Sequence, residues 1–221
     1  RSLTTFWNRL YGIDSGGEYP DLIVDPSCEA EAIAALADAL REHAGDWDCI
    51  WSPYVAGWTD SARRWAALFE RLNMQAHERE TEFACVQLPK THEEFRAALP
   101  EKMRKHLKQY VRRLSVDGPW RFVDFVAAGR IDEGFDALVA LHTQRWAERD
   151  EAGAFADERR MAEFCRRFGK IAAEHGWLRL IGMRDGQRIG AMQLGYVYNG
   201  EFLAIQEGFD PQIQPPGIGH V

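Results

Sequence analysis

The residues best suited to bind an anionic group form a Q-x-x-G-x-G run over residues 214–219. Glycines let a backbone approach a ligand closely, and free amides at the start of a helix bind phosphate. Pro215 and Pro216 have no N–H, so they remove two donors from the run. The run therefore predicts a phosphate-binding loop with a reduced set of donors. The amide donors that remain belong to Gln214, Gly217, Ile218 and Gly219.

A basic segment, residues 101–115, is the second feature that could bind an anion. It holds six Lys and Arg side chains and one Glu, in a chain whose net charge is -7. Apolar residues recur at helical spacing from Leu99 through Tyr110 to Leu114, which predicts an amphipathic helix. Its basic face is either a solvated surface or a contact for an anionic ligand, such as a nucleotide phosphate, RNA or an acidic polymer.

The composition restricts the classes of function. An overall excess of acidic residues does not favour nucleic-acid binding unless a local basic patch supplies it. The four cysteines are far apart and form no C-x-x-C pair, so we expect reduced thiols, no metal site and a cytoplasmic protein. No apolar run is long enough to span a membrane. The spacings typical of serine hydrolases, zinc proteases and P-loop proteins do not occur.

The first 88 residues alternate strand-like and helix-like patterns, which predicts an α/β sheet layer. Pro89 closes this region, and a capping box at Thr91 and Glu94 opens a helix that should end near Leu99. The earlier patterns are strands over 21–24, 46–51 and 82–88, a helix opened by Ser27, and a helix opened by Thr59 or Asp60.

From Trp120 onward the predicted order is strand, helix, helix and three strands. Asp185-Gly186 and Asn199-Gly200 predict type I′ turns between the last three strands, since that turn needs φ > 0 at both central residues. The last strand leads into the glycine run. The other patterns are a strand over 120–126, a helix over 131–150, and a helix from Asp157 to about residue 175 that should bury Met161, Phe164, Phe168 and Ile171.

This order of elements, ending in the Q-x-x-G-x-G run, resembles the first half of the GNAT acyltransferase fold. Members of its CelD-type branch, which is associated with cellulose biosynthesis and related to Fem proteins, often carry two GNAT-like halves in tandem. The features that resemble this branch are the basic segment and the runs over residues 87–89, 141–146, 185–191 and 208–210.

The resemblance implies an α/β fold with a GNAT-like mixed central sheet flanked by helices, in parts of two tandem domains. Residues 1–88 would be the C-terminal part of the first domain, and residues 89–115 a helical, basic connector. Residues 116–221 would be the N-terminal part of the second domain, up to the glycine run. Because the chain begins without Met and stops two residues after Gly219, where a helix should begin, we expect a longer protein.

The resemblance also implies an N-acyltransferase that moves an acyl group, with acetyl as the expected group, from acetyl-CoA or another acyl-CoA to an amine, without a metal. The glycine run, through Gln214, Gly217, Ile218 and Gly219, would hold the pyrophosphate of the coenzyme. The amine would attack directly, beside backbone amides between Gln206 and Phe209. The acceptor would be a small-molecule or polymer amine, with a link to polysaccharide or cell-envelope biosynthesis.

Two groups of side chains are candidates for the chemistry that this resemblance implies. Glu207 is the candidate general base, and the alternative is a strand-end carboxylate in water. His142, Arg145 and Trp146 lie within about one helical turn and would line the acceptor pocket. The alternative is that Trp146 belongs to the core and that Arg145 pairs with a nearby acid.

Two other functions stay open. Fem-type relatives use aminoacyl-tRNA instead of coenzyme A, and both the basic segment and the amides lost at Pro215 and Pro216 favour that alternative. The third possibility is a non-catalytic GNAT-like module that binds proteins during polysaccharide assembly.

Overall fold

The computed structural model divides the chain into two units, residues 1–85 and residues 86–221. It describes residues 2–4, 19, 21–52, 54–82, 84–151, 153–155, 159–214 and 217–220. The predicted α/β architecture, with helices flanking a sheet, is confirmed. The interpretation of the chain as parts of two tandem domains stays a prediction. Among the described residues, no helix is long and apolar enough to cross a membrane.

The first unit contains a short parallel pair of strands and two helices. Strand β1 (Ser2–Thr4) pairs in parallel with β2 (Cys49–Trp51), and the helices are α1 (Glu29–Glu42) and α2 (Ser61–Arg71). The helices bury an apolar face because their core residues recur at helical spacing. This core contains Ile33, Ala37, Trp65 and Leu68.

The strand predictions in the first 88 residues are mostly wrong. Residues 21–24 form no strand, and the run over 46–51 is a strand only at Cys49–Trp51. The described part of 82–88 forms no strand either. Its Val86 side chain is 69% exposed, and no described strand pairs with the segment. Alternating apolar residues make a strand only where another strand supplies hydrogen bonds and a core covers one face.

The starts of both helices in this unit lie close to their predicted positions. A 3-10 turn, Pro26–Cys28, precedes α1, and the Asp25 carboxylate accepts a hydrogen bond from the Ser27 N–H at 2.8 Å. Asp25 therefore caps the helical segment in place of Ser27, because Pro26 fits the first helical position. At α2 the Thr59 hydroxyl accepts the N–H of Ser61 at 3.2 Å.

The second unit opens with two helices. The capping box of α3 (His92–Ala98) is confirmed: the Thr91 Oγ1 accepts the Glu94 N–H at 3.1 Å, and the Glu94 carboxylate accepts the Thr91 N–H at 3.2 Å. The predicted amphipathic helix is α4 (Glu101–Val111), which continues as a π-helical turn over Arg112–Val116. Leu114 in that turn is fully buried, so the apolar stripe packs at its C-terminal end.

A four-stranded antiparallel sheet forms the centre of the second unit. Its strands follow one another in chain order as β3 (Arg121–Asp124), β4 (Leu178–Asp185), β5 (Arg188–Tyr198) and β6 (Glu201–Phe209). Helices α5 (Ile131–Ala147) and α6 (Arg159–Glu174) lie between β3 and β4 along the chain. They cover one face of the sheet, where Phe135 and Leu138 pack with Leu180 and Leu194.

The first predicted strand of this sheet is shorter than its pattern. The Asp124 Oδ1 accepts the N–H groups of Val126 at 2.9 Å and Ala127 at 3.0 Å, which turns the chain out of β3. The buried face of α6 also differs from the prediction. Phe164 and Ile171 are 46% and 50% exposed, whereas Cys165 and Ala172 are buried.

Helix α6 packs closely on the sheet side through small residues. A Cβ at Gly169 would lie 2.5 Å from the Phe135 ring. The spacing of apolar residues alone does not predict that α6 buries its small residues and exposes Phe164 and Ile171. The predicted helix cap at Asp157 lies outside the described residues.

The two hairpins have different turns. Asn199 and Gly200 have φ of 48° and 79°, which confirms a type I′ turn. At the first hairpin Asp185 pairs with Arg188, so the loop is Gly186-Gln187. Only Gly186 of these two has positive φ, at 55°. The type I′ prediction is wrong there, since Gln187 carries a Cβ that disfavours the left-handed region.

The opposite face of the sheet carries a second apolar cluster. It joins the end of α4 to the sheet and to the segment that follows β6. Its buried members are Leu114, Trp120, Met183, Ile213 and Ile218, and the partly buried Tyr110, Ala191 and Phe209 pack against them. The glycine run is therefore packed against both α4 and the sheet.

Candidate active site

An open cleft lies on the face of the sheet that carries the second cluster. Ile181 pairs with Gln193 and Gln193 with Glu207, so these three side chains share one face across β4, β5 and β6. The cleft also reaches Met183, Phe209, Ile218 and Gly219. The end of β6 and the glycine run thus border the same space.

Glu207 presents its carboxylate to this cleft from β6. Its Oε1 accepts a hydrogen bond from the Arg145 Nη1 at 3.0 Å, and its side chain remains 58% exposed. Glu207 is therefore the acid that pairs with Arg145. The sequence alone could not identify this partner. The carboxylate is held in one direction by the guanidinium while staying accessible to a second molecule.

Arg145 links the two faces of the sheet at its β6 end. The residue belongs to α5, which covers one face, whereas Glu207 and Phe209 lie on the other face. Its guanidinium carbon lies 4.6 Å from the centre of the Phe209 ring. Since β6 ends the four-stranded sheet, the Arg145 side chain can pass along this edge to reach Glu207. Its Nε is buried without a hydrogen-bond partner.

His142 lies beneath the same part of β6. It is 2% exposed, and its Nδ1 has no hydrogen-bond partner among the described residues. Burial lowers the pKa of His142; a hydrogen bond with Gln206 opposes this effect, and the charge of Arg145 adds to it. The imidazole is therefore neutral at pH 7 and lies outside the open cleft.

Two aromatic rings pack against the His142 ring. Its ring lies 4.9 Å from that of Phe155 and 5.8 Å from that of Trp146. Trp146 is half-buried and does not border the cleft. Of the three residues predicted to line an acceptor pocket, Arg145 alone reaches a cleft carboxylate. The substrate-binding role of all three stays a prediction.

Gly208 allows α5 to approach β6 closely. A Cβ at this position would lie 2.6 Å from the backbone N of His142 and 3.0 Å from the Cβ of Leu141. This approach is what brings Arg145 within reach of Glu207. In the sequence Gly208 stands out only as part of a family-like run, because no local pattern shows which helix will pack on a glycine.

The glycine run places two of its four predicted donors, Ile218 and Gly219, at the border of the cleft. Gly217 has φ of 123°, a region that favours glycine, and a Cβ there would collide with the Tyr110 ring. Ile218 is buried in the second cluster, and a Cβ at Gly219 would lie 2.7 Å from Phe209. Gln214 is exposed, and Pro215 and Pro216 lie outside the described residues.

A salt bridge that the sequence analysis missed fixes the segment between β6 and the glycine run. The Asp210 carboxylate accepts hydrogen bonds from Arg188 at 2.6 Å and from the N–H of Gln212 at 2.9 Å. Burial opposes the shift, but these two bonds lower the pKa of Asp210. Arg188 and Asp210 both belong to runs that resemble the CelD branch. The register of β5 against β6 brings their side chains together.

The described residues contain no group of three His, Cys, Asp or Glu side chains that could hold a metal ion. Cys165 is buried, and burial raises the pKa of its thiol to about 11. It is therefore a protonated core residue at neutral pH and not a nucleophile.

The sequence model of the acetyltransferase (GNAT) domain matches residues 101–221, which is more than half of the chain. The match begins at the first residue of α4 and contains every residue of the cleft. Comparison with curated proteins and with solved structures gives no match. The GNAT resemblance is thereby confirmed, while the CelD-type branch stays a prediction.

Proposed function

Because the chain belongs to the GNAT acetyltransferase family, we propose that it transfers an acetyl group from acetyl-CoA to an amine. GNAT domains use acyl-CoA as a co-substrate. The observation that supports this function best is the common cleft of Glu207, Gly208, Phe209 and the glycine run. A proton acceptor, strand backbone and a phosphate-binding run are the groups that the reaction requires in one place.

The glycine run fits the phosphates of a coenzyme. None of the backbone hydrogen bonds among described residues uses the N–H of Gly217, Ile218 or Gly219. Ile218 and Gly219 line the cleft, so their backbone borders the space in which the coenzyme would lie. We propose these three amides, with that of Gln214, as the contacts of the pyrophosphate.

Acetyl-CoA supplies the thioester carbonyl that the amine attacks, with the coenzyme thiol as leaving group. Glu207 accepts the proton that the attacking amine loses, directly or through one water. The backbone N–H groups between Gln206 and Phe209 stabilise the negative charge that develops on the carbonyl oxygen. Arg145 acts as a positioning residue, because its hydrogen bond fixes the direction of the Glu207 carboxylate.

The acceptor amine follows from the CelD-type resemblance and not from the cleft. We propose an amine on a small molecule or polymer of polysaccharide or cell-envelope biosynthesis.

Two measurements on the full chain test this function. Calorimetric titration with acetyl-CoA should give saturable heat. With a panel of amines, Glu207→Gln should lower the rate of thiol release by about 100-fold or more and leave acetyl-CoA affinity within about twofold. Glu201→Gln on the same strand is the matched control, since Glu201 lies at the start of β6 and does not line the cleft. No heat at millimolar acetyl-CoA, or equal rates in both variants, would contradict the proposal.

A further inference from the structure

We propose that the side of α4 next to the glycine run binds the phosphate groups of the acyl-CoA through Lys102, His106 and Arg113. We call these three residues the loop-side strip. The inference rests on the proposed function and adds side-chain contacts to the backbone donors of the glycine run.

Direct packing places α4 against the glycine run. The Tyr110 ring occupies the position that a side chain at Gly217 would need. Ile218 packs with Leu114, and Tyr110 packs against the same cluster. A phosphate held by the amides of the glycine run would therefore lie beside the exposed residues that flank Tyr110.

Helical geometry identifies which basic residues flank Tyr110. At about 100° per residue, His106 and Lys102 lie about 40° and 80° from Tyr110 on the same side. Arg113, at the start of the π-helical turn, follows on that side as well. The His106 and Tyr110 rings are 6.3 Å apart, in agreement with this placement. The basic residues on the far side, about 140° to 160° from Tyr110, are Lys105, Lys108 and Arg112. We call Lys105 and Lys108 the outer pair.

Lys102 and Arg113 carry the positive charge of the loop-side strip, and neither pairs with an acid among the described residues. Lys105 pairs with Glu101 at 2.6 Å, and Arg112 pairs with Asp117 at 3.0 Å. Within the described part of the chain, no carboxylate lies at ion-pair distance from Lys102 or Arg113, and both side chains are exposed. A guanidinium without an acid partner is well suited to a bidentate contact with phosphate.

Two features of the chain make such contacts necessary. Pro215 and Pro216 lack the N–H groups that a phosphate loop would otherwise use. The net charge of -7 also repels a ligand that carries several negative charges. Basic side chains at the border of the glycine run offset both effects by attracting the phosphates locally.

The test compares two double variants of the full chain that remove the same charge from the same helix. Lys102→Gln with Arg113→Gln neutralises the loop-side strip, and Lys105→Gln with Lys108→Gln neutralises the outer pair. Calorimetry measures the Kd of acetyl-CoA and of S-acetyl-pantetheine, which lacks every phosphate. The strip variant should bind acetyl-CoA about tenfold more weakly and S-acetyl-pantetheine unchanged, while the outer variant changes acetyl-CoA binding by less than about threefold.

Each other result overturns the inference. Equal losses in both variants would mean that only the general field of α4 matters. A loss of equal size for S-acetyl-pantetheine would mean that the charges do not act on phosphate. The single Lys102→Gln variant, at an exposed side chain, checks this result and should by itself weaken the binding of acetyl-CoA alone. Salt-sensitive tRNA binding that the outer variant loses, with acetyl-CoA binding unchanged in both, would assign α4 to RNA.

The wild-type result separates this inference from the proposed function. If the wild type and the strip variant bind acetyl-CoA equally tightly, the inference about α4 is wrong, while the proposed acetyltransferase function stands. A wild-type chain that binds no acetyl-CoA contradicts both.

Discussion

At the residue scale, the candidate site depends on charged and polar groups that are only partly satisfied. The Glu207 carboxylate has one partner, Arg145, and keeps an accessible side toward the cleft. His142 and Arg145 each have one buried nitrogen without a hydrogen bond. Buried polar atoms without partners cost free energy of folding, so their presence beneath β6 marks a part of the molecule that is not optimised for stability alone.

His142 gives a pH prediction, because burial lowers its pKa below the ordinary value of 6.5. Below that value the unfolded chain binds a proton that the folded chain does not, so the free energy of unfolding falls as the pH falls toward the lowered pKa. His142→Phe removes this contribution. Between about pH 7.5 and about pH 5.5 the Tm of the variant should decrease less than that of the wild type.

The control for this prediction is His175→Gln, since the His175 ring stacks on Trp177 at an exposed position. Its Tm should follow the wild-type profile. Parallel profiles for His142→Phe and the wild type would mean that the pKa of His142 is the same in the folded and the unfolded chain, which contradicts the prediction.

At the element scale, the sequence predicts those features that neighbouring residues determine. The capping box of α3, the amphipathic α4 and the Asn199-Gly200 turn are such features. The predictions fail where a distant element decides: the segment 82–88 lacks a partner strand, and α6 buries small residues because Phe135 packs against it. The Arg145–Glu207 ion pair could not be predicted for the same reason, because its two residues are 62 positions apart in the sequence.

The close approach of α5 to β6 is a testable property of these elements. Gly208→Ala adds a methyl group 2.6 Å from the His142 backbone N, so either the helix or the strand must move. We expect a loss of about 1–3 kcal/mol in the free energy of unfolding, together with a lower transfer rate because Glu207 is displaced from Arg145. Urea denaturation and the amine assay measure the two effects.

Gly57→Ala is the control for this variant, because a Cβ there meets nothing within 4 Å. It should leave both the stability and the rate close to those of the wild type. A Gly208→Ala protein as stable and as active as this control would show that the approach of α5 does not constrain β6.

At the scale of the whole molecule, the two units differ in what they offer to a ligand. The cleft, the glycine run and the basic helix all belong to residues 86–221, which also contain the family match. The first unit has a parallel pair of three-residue strands and two helices around its own small core. We therefore expect acyl-CoA to bind the second unit, through residues that come from α4, β6 and the glycine run.

Hydrogen exchange of the full chain, measured by mass spectrometry with and without acetyl-CoA, tests this central claim most directly. The account predicts slower exchange at the amides of peptides covering residues 206–219, and no change in peptides covering residues 29–71. S-acetyl-pantetheine should protect the end of β6 and have a smaller effect on the glycine run. Unchanged exchange over residues 206–219 at saturating acetyl-CoA, or protection confined to the first unit, would contradict the account.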